Sequence, residues 1–293
     1  MALYSQDKVN LHTHSWYCGH GKGEISDYVK QAKAEGKLSV LGFSEHCPVP
    51  DDRWSSTRMA YEKLPSYVAD VRKASAEELR GADGSRADGA RADGAGLKVL
   101  LGAECDYMPE YYSYYKDELL GRQGFDYLIG AVHFHHDPIT GAYIYPNKIP
   151  DYTPFLGEYV KNYVNTIESG LFLLCAHPDL YSYNTPWSVE LQAAAKDIIQ
   201  CALEHNMPLE VNCYGLRKGQ VLIGGQMRYH YTIREFWEMA LEAGVKICCN
   251  SDAHKPVHLS NEPGLEFGKE LGIEFVKWDV QTRADGGHSI KFV

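Results

Sequence analysis

Seven histidines and two carboxylates are placed where they could hold metal ions: His12, His14, His20, His46, Glu104, His133, His177, Asp252 and His254. His12 and His14 alternate with Thr13, so on an extended strand both imidazoles project to one side and can share an ion. His20 follows in a glycine-flanked loop, Gly19-His20-Gly21. A single H-x-H is weak on its own; its weight comes from the recurrence of Glu45-His46, Glu104, His133, His177 and Asp252-Ala253-His254 further along the chain. Mixed imidazole and carboxylate ligands suit zinc, iron or manganese better than calcium or magnesium, and the lack of thiolates in the set points to a catalytic rather than a structural zinc site. Nine ligands exceed the needs of one ion. A carboxylate such as Glu104 can bridge two ions, and two ions about 4 Å apart can clamp both the attacking and the leaving oxygen of a phosphoryl transfer. The residues therefore predict a multinuclear hydrolase.

The elements that must position these groups alternate in type. Short apolar, β-branched stretches are separated by longer amphipathic ones, the pattern of strands and helices around a mostly parallel sheet. Seven units can be read, with strands ending at His12-Thr13-His14, Ser44-Glu45-His46, Ala103-Glu104, Val132-His133, Ala176-His177, Glu210-Val211-Asn212 and Ser251-Asp252-Ala253-His254. In a parallel barrel the C-terminal strand ends converge on one face, where active sites lie. Helices are predicted over Thr153 to Ser169, Ser188 to His205 and Thr232 to Ala243, with Gly170 and Gly244 as stop signals. The tract Gly81 to Gly96, GADGSRADGARADGAG, holds no apolar residue larger than alanine. It reads as a disordered surface insertion, at about 81–96, unable to offset its ordering entropy by burial.

Composition narrows the class. With 293 residues, 44% of them hydrophobic, the chain can bury a large core, and an α/β barrel of this length forms one domain, expected over 1–293. No apolar run approaches the roughly 18 residues of a membrane span, and Met1 to Asn10 lacks the features of a signal peptide, so a soluble, cytoplasmic protein is expected. The net charge of -10, from 29 Lys and Arg against 39 Asp and Glu, disfavours a nucleic acid partner. Eight cysteines, none in a two-residue-spaced pair, read as reduced thiols.

At this point the chain resembles a known family, the PHP phosphoesterases, named for polymerase and histidinol phosphatase. Their motifs occur in order over nearly the whole chain: His12-Thr13-His14, Ser44-Glu45-His46, His133 and His177, then Asp252 with His254. The resemblance implies a distorted (β/α)7 barrel, an α/β fold, carrying three divalent metal ions. It would place His12, His14, Glu104 and Asp252 on the first ion, Glu104, His133 and His177 on the second, and His20, His46 and His254 on the third. The strings from His12 to Gly21 and from Ser44 to Pro50, with Glu210-Val211-Asn212 running on to Gly215-Leu216-Arg217-Lys218, are similar to the histidinol-phosphatase branch. That branch implies hydrolysis of a small phosphomonoester, L-histidinol phosphate, in histidine biosynthesis; a PHP phosphodiesterase or nuclease is the alternative. The chain departs from the branch at Arg228-Tyr229-His230-Tyr231-Thr232, which lacks an expected proline, and in the 81–96 tract.

Metal coordination brings the pKa of water to about 7, so no protein nucleophile is required. Arg217 is the expected phosphate ligand, because a planar guanidinium binds two oxygens at once, with Lys255 as a second cation. Asp252 or His254 could protonate the leaving alkoxide. Asn212, at a strand end, could orient substrate or a ligand. His135, His136 and Asp137 read as loop polarity or substrate contacts, and the run Tyr111-Tyr112-Ser113-Tyr114-Tyr115 as helix packing or a lid.

Overall fold

A computed structural model of the chain describes residues 3–80 and 96–293. The expected disordered insertion, apart from Gly96, lies outside the described residues. Seven parallel strands form the central sheet: β1 (Val9–Asn10), β2 (Val40–His46), β3 (Lys98–Asp106), β4 (Tyr127–Ala131), β5 (Leu174–Cys175), β6 (Leu209–Asn212) and β7 (Ile247–Asn250). They pair in sequence order from β1 to β7. Strands such as β2 and β4 are buried along their whole length, as near-continuous apolar runs should be when both faces of a parallel sheet are covered. The fold is a distorted (β/α)7 barrel.

The distortion is at the seam between β1 and β7. There the two edges touch through one parallel bridge, Thr13 to Ala253, in which His14 N donates to Ala253 O at 2.8 Å. Two asparagine side chains replace the missing ladder. Asn250 Oδ1 accepts from Leu11 N at 2.8 Å, and Asn10 Oδ1 accepts from Ser251 N at 3.1 Å.

Inward-facing residues of the strands, among them Val9, Leu11, Val40, Leu100, Tyr127, Ile129, Leu174 and Cys248, fill the barrel with Val276, Trp278 and Val280 of the C-terminal segment. Trp278 belongs to a three-stranded antiparallel sheet made of Leu3–Tyr4, Trp278–Thr282 and His288–Phe292. Gly102 is required in this interior: a Cβ there would lie 2.4 Å from the Tyr127 ring, whose hydroxyl crosses to Leu11 O. Amphipathic helices pack outside, among them Ile25–Glu35, Leu64–Arg80, Leu156–Glu168, Val189–Glu204, Arg234–Ala243 and Glu262–Leu271.

Two predicted helices start later than expected. A 3-10 turn over Thr153–Phe155 precedes the α-helix that begins at Leu156. Thr232 is left-handed, with φ 63°, and donates its hydroxyl to Asn212 O at 2.9 Å, so the third begins at Arg234. Tyr114 and Tyr115 are buried in a π-helical turn, their hydroxyls donating to Pro48 O and Asp106 O; the tyrosine run packs rather than covers a site.

Candidate metal centre

The parallel register delivers the first pair of ligands. His46, the last residue of β2, is the register partner of Glu104 on β3, and partners in a parallel ladder share a face. The remaining histidines sit just beyond strand ends, at His12 and His14, His133, His177 and His254. Ring nitrogens of His12, His14, His46, His133 and His177 converge on one carboxylate. Glu104 Oε1 lies 2.9 Å from His177 Nε2, 3.2 Å from His133 Nε2 and 3.4 Å from His12 Nε2. Glu104 Oε2 lies 2.8 Å from His46 Nδ1 and 3.4 Å from His14 Nε2. Asp252 Oδ1 lies 3.4 Å from His14 Nε2, 3.7 Å from His12 Nε2 and 3.3 Å from His254 Nδ1. His20 Nε2 is 3.1 Å from His254 Nε2 at the rim. All nine sequence-predicted ligands thus meet in one region. Two of them, His177 at φ 33° and Asp252 at φ 47°, hold left-handed backbone, a strain characteristic of functional sites.

The donor set fits metal ions. Buried polar atoms are normally hydrogen-bonded, yet His12 Nε2, both nitrogens of His14, His46 Nδ1, Glu104 Oε2 and Asp252 Oδ1 have no hydrogen-bond partner. Sets of three, His12, His14 and Glu104, or His46, Glu104 and His133, or His20, His46 and His254, bring ligand atoms within 4.8 Å of one another. Electrostatics sort the imidazoles. Burial, with His254 close by, pulls His14 down to about 3. Burial opposes charge on His133 as well, but Asp106 and Glu104 outweigh it and push this histidine up to about 9. Burial would raise Glu104; the surrounding His133, His12 and His46 hold it well below the usual range instead.

Residues that sequence reasoning passed over brace the ligands. Both oxygens of Asp106 lie 3.1 Å from His133 Nδ1, and Arg58 Nη2 donates to Asp106 Oδ2 at 2.8 Å. Glu210 Oε1 lies 2.9 Å from His12 Nδ1. Asp106 follows Glu104 by two residues, and so shares its face of the strand; that parity was the available signal. Glu45 Oε1 accepts from Ser15 N and Ser15 Oγ, both at 2.5 Å, tying down the turn that leads to His20. Cys18 Sγ comes near His14 and His254, but it donates to Ser15 O at 3.3 Å and accepts from Gly21 N at 3.1 Å. Burial pushes this thiol up to about 12, so it braces the loop.

A cavity of about 390 Å³ opens over the cluster, lined by His20, His46, His133, His177, Asp252 and His254 together with Phe134, Tyr145, Tyr183, Tyr214 and Tyr231. Its cations are Arg58, Lys148 and Lys218. The expected substrate residues lie elsewhere. Arg217 Nη2 donates to Ser251 O at 2.6 Å and Asp252 O at 3.0 Å, behind the Asp252 carboxylate, and lines a separate cleft beside Gln226 and Phe267. Lys255 is exposed and does not line the cavity. Asn212 Nδ2 donates to Asp252 Oδ2 at 3.2 Å and to Glu210 Oε2 at 2.8 Å, so it faces ligands and not the opening. His135 turns away to Glu158, 2.5 Å from Oε2.

A parallel seven-stranded barrel with imidazoles and carboxylates gathered at its C-terminal mouth defines a barrel metalloprotein. The PHP domain family model matches residues 10–213. Over 96% of this chain and 95% of the relative, the sequence is 28% identical to the "Probable histidinol-phosphatase" of Deinococcus radiodurans. The Schizosaccharomyces pombe protein of the same name is 22% identical over 88% of this chain and 83% of its own. The crystal structure of histidinol phosphate phosphatase from Lactococcus lactis subsp. lactis, complexed with zinc, L-histidinol and phosphate, superposes with TM-score 0.64 at 16% identity, covering 92% of this chain and 96% of that one. The chain belongs to the PHP domain family of phosphoesterases.

Proposed function

We propose that the chain is a metal-dependent phosphomonoesterase, acting over its whole length as one PHP unit in the cytoplasm, that hydrolyses L-histidinol phosphate to L-histidinol and phosphate in histidine biosynthesis. The observation that carries this reading is the cavity above the ligand cluster, lined by five aromatic rings and three cations. A cup of about 390 Å³ suits a small phosphomonoester carrying one flat ring, and aromatic faces suit an imidazole. The names of the relatives support the same substrate.

On the family pattern, His12, His14, Glu104 and Asp252 would hold a first ion, Glu104, His133 and His177 a second, and His20, His46 and His254 a third. When bound, zinc, iron or manganese supplies Lewis-acid charge at the phosphate and lowers the pKa of water. The chain itself supplies position and charge. Arg58, Lys148 and Lys218 border the cavity and would draw in the phosphate dianion. Arg217, held to the carbonyls of Ser251 and Asp252, would fix Asp252 from behind, with Lys255 further out and Asn212 steadying Asp252. Asp252 or His254, both on the cavity wall, would be the groups placed to pass a proton from solvent to the leaving alkoxide.

Hydrolysis of L-histidinol phosphate, a generic aryl phosphate and single-stranded DNA by the purified protein, with and without added metal, tests the proposal. Efficient turnover of the first alone, lost on chelation, is expected. Turnover of DNA in preference to histidinol phosphate would replace it with the nuclease reading.

A further inference from the structure

Three donors meet the carboxylate of Glu210, which is fully buried. His12 Nδ1 and Asn250 Nδ2 approach Oε1 at 2.9 and 3.0 Å, and Asn212 Nδ2 donates to Oε2 at 2.8 Å. Neither asparagine can be turned over to present an acceptor. Asn212 Oδ1 already accepts from Tyr214 N and Gly215 N, and Asn250 Oδ1 accepts from Leu11 N. The position is therefore acceptor-only, a requirement that a carboxylate meets and an amide does not. Because a carboxylate cannot give a proton to His12 Nδ1, that nitrogen must carry the proton. Its other nitrogen, Nε2, is then a bare lone pair facing Glu104 and Asp252.

The negative charge has no other outlet. Among the described residues no lysine or arginine lies within ion-pair distance of Glu210, and His12 is its partner. Asp106 plays the same part behind His133, but there Arg58 shares the charge. Through Asn212, Glu210 also reaches the second oxygen of Asp252, and through Asn250 it touches the side chain that joins β7 to Leu11 across the seam.

We infer that Glu210 is a positioning residue for the metal centre: it fixes His12 as the Nδ1-protonated tautomer and, through Asn212 and Asn250, holds His12 and Asp252 together across the barrel seam. Partners of this kind raise ligand basicity and orientation, and their loss typically costs about 10–100-fold in metal affinity. The inference rests on the metal-centre reading and is independent of the substrate.

The test compares wild type with Glu210→Gln and Glu210→Asp by elemental analysis after zinc loading, by zinc competition against a chromophoric chelator, and by the visible spectrum of the cobalt-loaded proteins. Glu210→Gln should lose at least about 10-fold in affinity at one class of site and change the cobalt spectrum, while Glu210→Asp, which keeps the charge, recovers part of both. Equal affinity and an identical spectrum in Glu210→Gln would overturn the inference. A wild type that binds no metal would overturn the metal-centre reading itself. Should Glu210→Gln not fold, ¹⁵N spectra of histidine-labelled, zinc-loaded wild type decide: a proton on His12 Nδ1 with the zinc shift on Nε2 is expected, and zinc on Nδ1 would refute the assignment.

Discussion

His46 and Glu104 are register partners on adjacent parallel strands, and His46 Nδ1 lies 2.8 Å from Glu104 Oε2. The same carboxylate approaches His12, His14, His133 and His177. Replacing Glu104 by Gln keeps its volume and removes its charge from the meeting point of five imidazoles. Activity should fall by more than the ~10–100-fold typical of outer partners, together with bound metal. Elemental analysis alongside phosphate release checks this; full metal content with full activity would exclude Glu104 as a shared ligand.

Arg58 both borders the cavity and holds Asp106 behind His133. Its guanidinium also lies over the Phe134 ring, 4.9 Å from the centroid. Arg58→Met preserves much of that packing, so the fold should survive while kcat/KM drops about 10–100-fold. Arg58→Lys should recover little, since an ammonium lacks the planar fork that meets carboxylate and ring together. Steady-state kinetics on both variants decide it.

Arg217 secures the carbonyls of Ser251 and Asp252, next to a left-handed backbone. Arg217→Ala is expected to reduce kcat/KM by at least about tenfold, a loss of transition-state stabilisation near 1.4 kcal/mol, with metal content unchanged. Wild-type kinetics in this variant would remove Arg217 from the machinery.

His288 concerns stability, far from the chemistry. It is fully buried, and burial, then Lys98, Arg72 and Arg283, pull it down to about 4. An unfolded chain, with histidine near 6.5, binds more protons than the folded one between these values, so stability is complete above about 6.5 and declines as pH falls toward 4. The contribution is at most on the order of 3 kcal/mol. His288→Gln, which does not titrate there, should show a shallower decline. Urea unfolding of both proteins from pH 7 to 4, in chelator, measures the difference; parallel curves would refute it.

Much of the site was legible because buried parallel strands read as apolar runs, and each run stops where a polar ligand begins. That put Glu104, His46 and His133 at strand ends that converge on one face of the barrel. The bracing groups were harder to see. Asp106 and Glu210 share strand parity with Glu104 and Asn212, but parity does not name the imidazole each will meet. Arg58 sits in an irregular loop with no period to betray it. Arg217 and Asn212 were expected to face substrate; the structure turns both toward Asp252, a choice made by the left-handed turn after β7 that no local pattern announces.

The seam has a consequence for how the protein comes to maturity. Asn10 and Ser251, which are hydrogen-bonded there, are 241 residues apart in sequence, and the ligands on the two sides of the seam are separated by about as much. Helices and early strands can assemble while the ribosome is still at work, since domains gain structure as they emerge. The ion-holding pocket cannot. His12 and His14 must wait for Asp252 and His254, so the two sides of the ligand cluster meet only once the seam between β1 and β7 has closed.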